Sequence, residues 1–208
     1  MKGVVFLHIS QTDPGGNVLS VLFNLLIAVS ALSAIRAHAK NSPPKILLRF
    51  FTVLSNILCA AACLAVAAVR LSGGTCEAVF LLKYVGTAAV TVTLLTVLFF
   101  LGPFVVPYKV LLSGPDLWLH LICPVLAIVS FLAWDRPELS FPHAFLCVVP
   151  VLLYACLYLY KVVFAPEGKR WEDFYGFNRS NRWPLSFMAM MAASFLIGAA
   201  LFLIGRRG

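Results

Sequence analysis

Six apolar runs, each about the length of a bilayer crossing, constrain this chain more than any other feature. They cover roughly residues 18–35, 46–69, 79–102, 117–134, 144–164 and 185–205. A helix needs about 20 apolar residues to span the hydrocarbon core, and a lipid-exposed segment must satisfy its backbone polar groups internally. Composition agrees: 62% of the residues are hydrophobic and only 12% charged, against about 25% charged in an ordinary soluble domain. The mean hydropathy is +0.96. The connections are too short for a soluble domain, so residues 1–208 read as one all-α domain, a bundle of six transmembrane helices. No internal repeat or low-complexity segment is visible.

The breaks between runs are carried by turn formers and charges. Arg36, Lys40, Asn41, Pro43, Pro44 and Lys45 part the first from the second, and Gly73 and Gly74 the second from the third. Pro103, Pro107, Lys109, Gly114, Pro115 and Asp116 come next, then Asp135, Arg136, Pro137 and Glu138. Ala37-His38-Ala39 resembles a signal-peptidase site, but the run before it is long for a signal sequence and only Lys2 is basic ahead of it. The reading is therefore a retained first helix. With six crossings, connections one, three and five share a side. That side carries ten Lys and Arg against six on the other, which favours it as cytoplasmic with both termini outside. The net charge of +8 then reflects topology and anionic headgroups. Membrane lipids are the implied partners, and no nucleic acid is implied.

His120 lies inside the apolar run Leu117–Leu126, whereas His8, His38 and His143 fall in the tail or in polar connections. An ionisable side chain at membrane depth is costly and marks a functional site with a partner. The expected partner is Thr52, in Phe50-Phe51-Thr52-Val53-Leu54-Ser55-Asn56. Helices 2 and 4 start from the same side, and both residues stand a few residues inside their runs. At 1.5 Å per residue each is roughly 5–9 Å below the membrane boundary.

Helical spacing extends both sites into stripes. Thr52, Asn56, Cys59 and Cys63 share one face, as do Asp116, His120, Cys123, Ala127 and Ser130. Stripes of small and polar residues let helices approach closely in lipid, so Thr52 and Asn56 would serve equally well as bonds across helices. Asp116, one turn before His120, would either orient the imidazole or cap helix 4. The latter is favoured. Cys59, Cys63, Cys123, Cys147 and Cys156 lie in spans and read as small core residues. Cys59 and Cys63, at i and i+4, with His120 would supply only three of the four ligands a zinc site usually wants, and no metal or cofactor is called for. Lys83, Thr87 and Thr91 form a stripe on helix 3, with Lys83 expected to snorkel to the opposite surface.

Phe51-Thr52-Val53-Leu54-Ser55-Asn56 near the start of a second span, with Leu119-His120 followed by Pro124 in a fourth, resembles the androgen-induced protein family. That family includes the androgen-dependent TFPI-regulating protein and bacterial six-span relatives, and the resemblance extends over the order of all six spans. In its animal members a Thr and a His at these places are the catalytic pair of a membrane threonine hydrolase that cleaves fatty acid esters of hydroxy fatty acids. The resemblance implies Thr52 as nucleophile, His120 as base, and a multi-pass protein of a bacterial cell membrane. The long polar segment Trp171–Trp183 has no clear counterpart in the animal proteins.

That segment lies on the Thr52 side and reads either as an interfacial anchor or as a lid. Arg179 and Arg182 would hold a lipid carboxylate or phosphate. Tyr154 and Tyr158, one turn apart on helix 5, would line a pocket with Ser55 and Cys59. The expected function is hydrolysis of a lipid ester, with Asn56 as donor to the oxyanion, in an acyl cavity between helices 2, 3, 4 and 5. A non-catalytic lipid-binding protein needs only the pocket. A small-molecule transporter would normally show repeated halves or matching broken spans.

Overall fold

The computed structural model describes residues 14–205, so Lys2, His8, Arg206 and Arg207 lie outside the described residues. The described part is all α, with six helices long and apolar enough to cross a membrane: Gly15–Ala39, Phe51–Leu71, Glu77–Phe104, Gly114–Ala133, Phe141–Phe164 and Trp183–Gly205. The third is the most buried. It packs against the second, fourth, fifth and sixth spans. Its approach to the second depends on Gly86, where an added Cβ would stand 3.1 Å from the Cys59 Cα. Small residues at such contacts replace the hydrophobic drive that lipid removes. Ile27, Ala28, Ala31, Cys59, Cys63, Val90, Cys123 and Ala127 complete this seam between the first four spans.

The second span begins later than its hydropathy predicts. Pro44–Leu47 forms a separate turn, and Phe50 is extended at φ −96°, ψ 127° before the helix starts at Phe51. Tertiary bonds hold the break open: the Tyr154 hydroxyl donates to the Arg49 carbonyl at 2.6 Å, and the Phe51 amide donates to the Tyr175 hydroxyl at 3.0 Å. Thr52 therefore sits in the first helical turn rather than six residues in.

Three spans contain a π turn, and each has the same cause. The turns Val97–Leu101, Trp118–Ile122 and Tyr160–Phe164 are each followed, two residues on, by a proline: Pro103, Pro124 and Pro166. A proline ring clashes with the carbonyl four residues back and offers no amide. The chain widens to i→i+5 bonds instead, Gly102 to Val97, Cys123 to Trp118 and Ala165 to Tyr160. In each case the next carbonyl would need the proline amide and so loses its partner. Each is met from outside the turn. The Tyr108 hydroxyl donates to the Leu98 carbonyl, the Asn56 amide to Leu119 at 3.1 Å, and the Trp171 amide to Lys161 at 3.0 Å. All three π turns lie toward the Thr52 side, and the last two rescues use residues from elements around Thr52.

On the opposite side the structure corrects the reading of Lys83, which does not reach the surface. Lys83 and Asp135 are both fully buried, their nitrogen and oxygen 3.9 Å apart. The Lys83 ammonium donates to Asn24 Oδ1 at 2.8 Å and contacts Cys63 Sγ at 3.0 Å. The Asp135 carboxylate accepts from Ser20 at 2.6 Å, Asn24 at 2.7 Å and Ser130 at 2.7 Å. Four spans and the residue just past the fourth thus meet in one polar cluster. Burying charge in this way demands that both ions be paired and hydrogen-bonded.

Candidate active site

Thr52 and His120 come together. Thr52 Oγ1 stands 3.3 Å from His120 Nε2, with Thr52 half-buried and His120 buried. The other ring nitrogen fixes the chemistry of the pair. His120 Nδ1 lies 2.7 Å from the carbonyl oxygen of Leu111, which can only accept. Nδ1 must carry the proton there, so a neutral imidazole presents the Nε2 lone pair to the Thr52 hydroxyl. That is the arrangement a nucleophile–base pair requires, with the base held by a third group, and here a backbone carbonyl holds the imidazole.

The carboxylate considered for that role is placed elsewhere. Asp116 Oδ1 lies 3.1 Å from His38 Nε2 at the end of the first span. Asp116 is not the helix cap either, because the fourth span begins at Gly114 after Ser113. It occupies the first turn, where a negative charge suits the helix dipole. His120 itself stands in the middle of the π turn Trp118–Ile122, a feature that often accompanies functional sites.

Asn56 is one turn below Thr52 but is not free to bind an oxyanion. Its Nδ2 donates to the carbonyls of Thr52 at 2.8 Å and Leu119 at 3.1 Å, and both partners are acceptors only. Asn56 instead ties the Thr52 helix to the His120 helix. Ser55 is likewise engaged, with Thr52 O at 3.1 Å and Thr93 Oγ1 at 2.9 Å. Cys59 is buried in the seam and lines no described pocket. Among the described residues no group of three His, Cys, Asp or Glu side chains is placed to hold a metal.

The polar segment after the fifth span folds over this end of the bundle. The Asp173 carboxylate accepts the amides of Phe177 at 2.8 Å and Asn178 at 2.7 Å and the Tyr158 hydroxyl at 3.1 Å. Phe177, Phe174, Trp171 and Tyr175 pack on Phe51, Tyr154 and Tyr158. The two tyrosines of helix 5 therefore anchor the segment, and Tyr154 also lines a groove. Arg179 and Arg182 are exposed, because Asn178 to Arg182 turns outward through left-handed Ser180 and Asn181. No hydrogen bond or ion pair among the described residues joins them to Thr52 or His120.

The expected acyl cavity takes another form. A groove of about 290 Å³ lies between the second and fifth spans, lined by Phe51, Leu54, Ser55, Leu58, Pro150, Leu153, Tyr154 and Leu157. A second, of about 440 Å³, runs between the first and fourth, where Ser30, Ser33 and Ala34 face Gly114, Pro115 and Trp118. The region between the second, third and fourth spans is filled by the small-residue seam. Neither groove is lined by Thr52 or His120, though Phe51, the residue before Thr52, lines the first.

Tyr175 is a residue of this region that the sequence does not single out within the polar segment Trp171–Trp183. Its hydroxyl accepts the Phe51 amide, at the positive end of the Thr52 helix. Phe50, the residue before that helix, supplies no side-chain cap, and Tyr175 takes the place of one. Burial pushes the Tyr175 phenol above its usual range, while the Phe51 amide pulls against it. No family model, curated protein or solved structure matches this chain.

Proposed function

We propose that this protein is an intramembrane hydrolase of lipid esters, with Thr52 as nucleophile and His120 as general base. The observation that carries the reading is the chain Thr52 hydroxyl, His120 Nε2, His120 Nδ1, Leu111 carbonyl, at 3.3 Å and 2.7 Å. A threonine hydroxyl is a weak nucleophile unless a base removes its proton as it attacks. Thr52 Oγ1 adds to the ester carbonyl carbon while its proton moves to Nε2. The tetrahedral intermediate then collapses, and the leaving alkoxide takes the proton from Nε2. Water, deprotonated by the same nitrogen, hydrolyses the acyl-threonine and releases the carboxylic acid.

The acyl chain of the substrate is assigned to the groove between the second and fifth spans, whose apolar walls suit it. The resemblance to androgen-induced proteins supports this reading and names fatty acid esters of hydroxy fatty acids as the first substrates to assay. It also proposes the bacterial cell membrane as the location. Non-catalytic lipid binding and small-molecule transport share the bundle but make no use of a hydroxyl aimed at an imidazole.

A fluorophosphonate probe on purified protein in detergent micelles tests the reading. Labelling is expected at Thr52 and is expected to vanish in Thr52→Val and in His120→Ala. Labelling that persists in Thr52→Val would remove Thr52 as nucleophile.

A further inference from the structure

We infer that Tyr175, carried in by the connection between the fifth and sixth spans, donates the hydrogen bond that stabilises the oxyanion formed at Thr52. This rests on the proposed hydrolase reading of the Thr52–His120 pair. An oxyanion needs donors fixed in advance where its charge will develop, and a side chain already committed elsewhere cannot serve. The two polar side chains one turn into the Thr52 helix are committed. Both Asn56 amide hydrogens are given to carbonyls, and Ser55 is shared between Thr52 O and Thr93. Tyr154 gives its proton to the Arg49 carbonyl.

Tyr175 differs in the direction of its bonds. Its oxygen accepts the Phe51 amide at 3.0 Å, which leaves its own proton available to donate. The ring is held without that proton: it packs against Tyr154, Tyr158 and Phe174 at centroid distances of 6.4, 5.3 and 4.8 Å. Its backbone amide is also fixed, donating to the Tyr158 hydroxyl at 3.3 Å. The phenol is thereby fixed at the first turn of the Thr52 helix, on the residue preceding the nucleophile. Donation from the amide sharpens the phenol as a donor in turn, because hydrogen bonds in a chain polarise one another. With burial holding it protonated, the O–H persists at neutral pH. When Thr52 attacks, the electron pair of the carbonyl double bond moves onto oxygen, and the Tyr175 O–H meets that charge without transferring its proton.

The test uses full-length protein in dodecyl maltoside with p-nitrophenyl decanoate as the probe ester. Tyr175→Phe keeps the ring and removes the donor. The expected result is a kcat lowered about 10²- to 10³-fold, the usual loss for one oxyanion donor, with KM changed less than about threefold. Replacement of Tyr175 by 3,5-difluorotyrosine keeps the hydroxyl and makes it more acidic. The alkaline limb of kcat is then expected to move to lower pH, which a purely structural role would not produce. A Tyr175→Phe enzyme with kcat within about threefold of wild type, or an alkaline limb unmoved by fluorination, would overturn the inference. If either occurs while Thr52→Val is inactive, only the role of Tyr175 falls. If wild type fails to turn over the ester, or Thr52→Val matches it, the hydrolase reading falls and the inference with it.

Discussion

The tautomer of His120 turns a contact into a directed pair, and it makes the two partners separable by mutation. Thr52→Val preserves β-branching and volume while deleting the hydroxyl, so the first turn should persist and ester turnover should be lost. Thr52→Ser keeps the hydroxyl and should retain measurable turnover in the same assay. Asn56 behaves differently. Its amide fills the Leu119 carbonyl that Pro124 strands, so Asn56→Ala should cost stability, about 0.6 and at most about 1.7 kcal/mol for an interhelical bond in a membrane protein. Thermal unfolding in detergent would measure this. Turnover should fall through loosened positioning, and an Asn56→Ala protein as stable as wild type would contradict the tether. The Thr52–His120 pair was legible because a lone histidine in an apolar run is conspicuous and helix parity supplies its partner. The true roles of Asn56, Asp116 and Leu111 were not. A backbone carbonyl from a connection carries no side-chain signature, and Asp116 is drawn to His38 on a helix far away in sequence.

Among the helices, prolines shape the site more than hydropathy does. All six spans follow from run length and lipid cost, and the structure matches them apart from their ends. The π turns were hidden because a proline announces a break without saying whether the helix kinks, ends or widens. What selects widening here is a donor ready to meet the stranded carbonyl: Tyr108, Asn56 or Trp171. Pro124→Ala restores an amide next to Leu119 and removes the ring clash, so the turn Trp118–Ile122 is free to close to α. Closing it deletes one residue of winding, about 100° of rotation at 3.6 residues per turn. His120 would then swing away from Thr52. The expected outcome is loss of fluorophosphonate labelling with a melting temperature equal to or above wild type. A labelled Pro124→Ala protein would show that the wide turn is not what aims the imidazole. The break before Phe51 has the same logic: its hydropathy is continuous with the span, and only the grips of Tyr154 and Tyr175 reveal it.

Across the described bundle, polar groups gather at two opposite ends, the Thr52–His120 pair at one and the Lys83–Asp135 cluster at the other. The side-and-depth argument that joins Thr52 to His120 applies equally to Lys83 and Asp135, at the start of the third span and the close of the fourth. Asp135 was concealed by standing in the charged run Asp135-Arg136-Pro137-Glu138, and Lys83 by its apparent freedom to snorkel. The structure gives the pair a clamping role, since Ser20, Asn24, Cys63 and Ser130 reach it from the other helices. Removing one partner leaves the other charge buried without its direct counter-ion, which typically costs about 3–5 kcal/mol. Lys83→Met and Asp135→Asn should therefore each lower the unfolding midpoint in detergent sharply. The double variant leaves no unpaired charge and should be more stable than the sum of the two single losses predicts. Cys63 lies eleven residues along the helix from Thr52, roughly 16 Å at 1.5 Å per residue. Turnover per folded molecule should accordingly be unchanged in all three variants. Strictly additive losses, or a folded Lys83→Met protein with impaired kcat, would show that the cluster is not simply a clamp and that the two ends of the bundle are coupled.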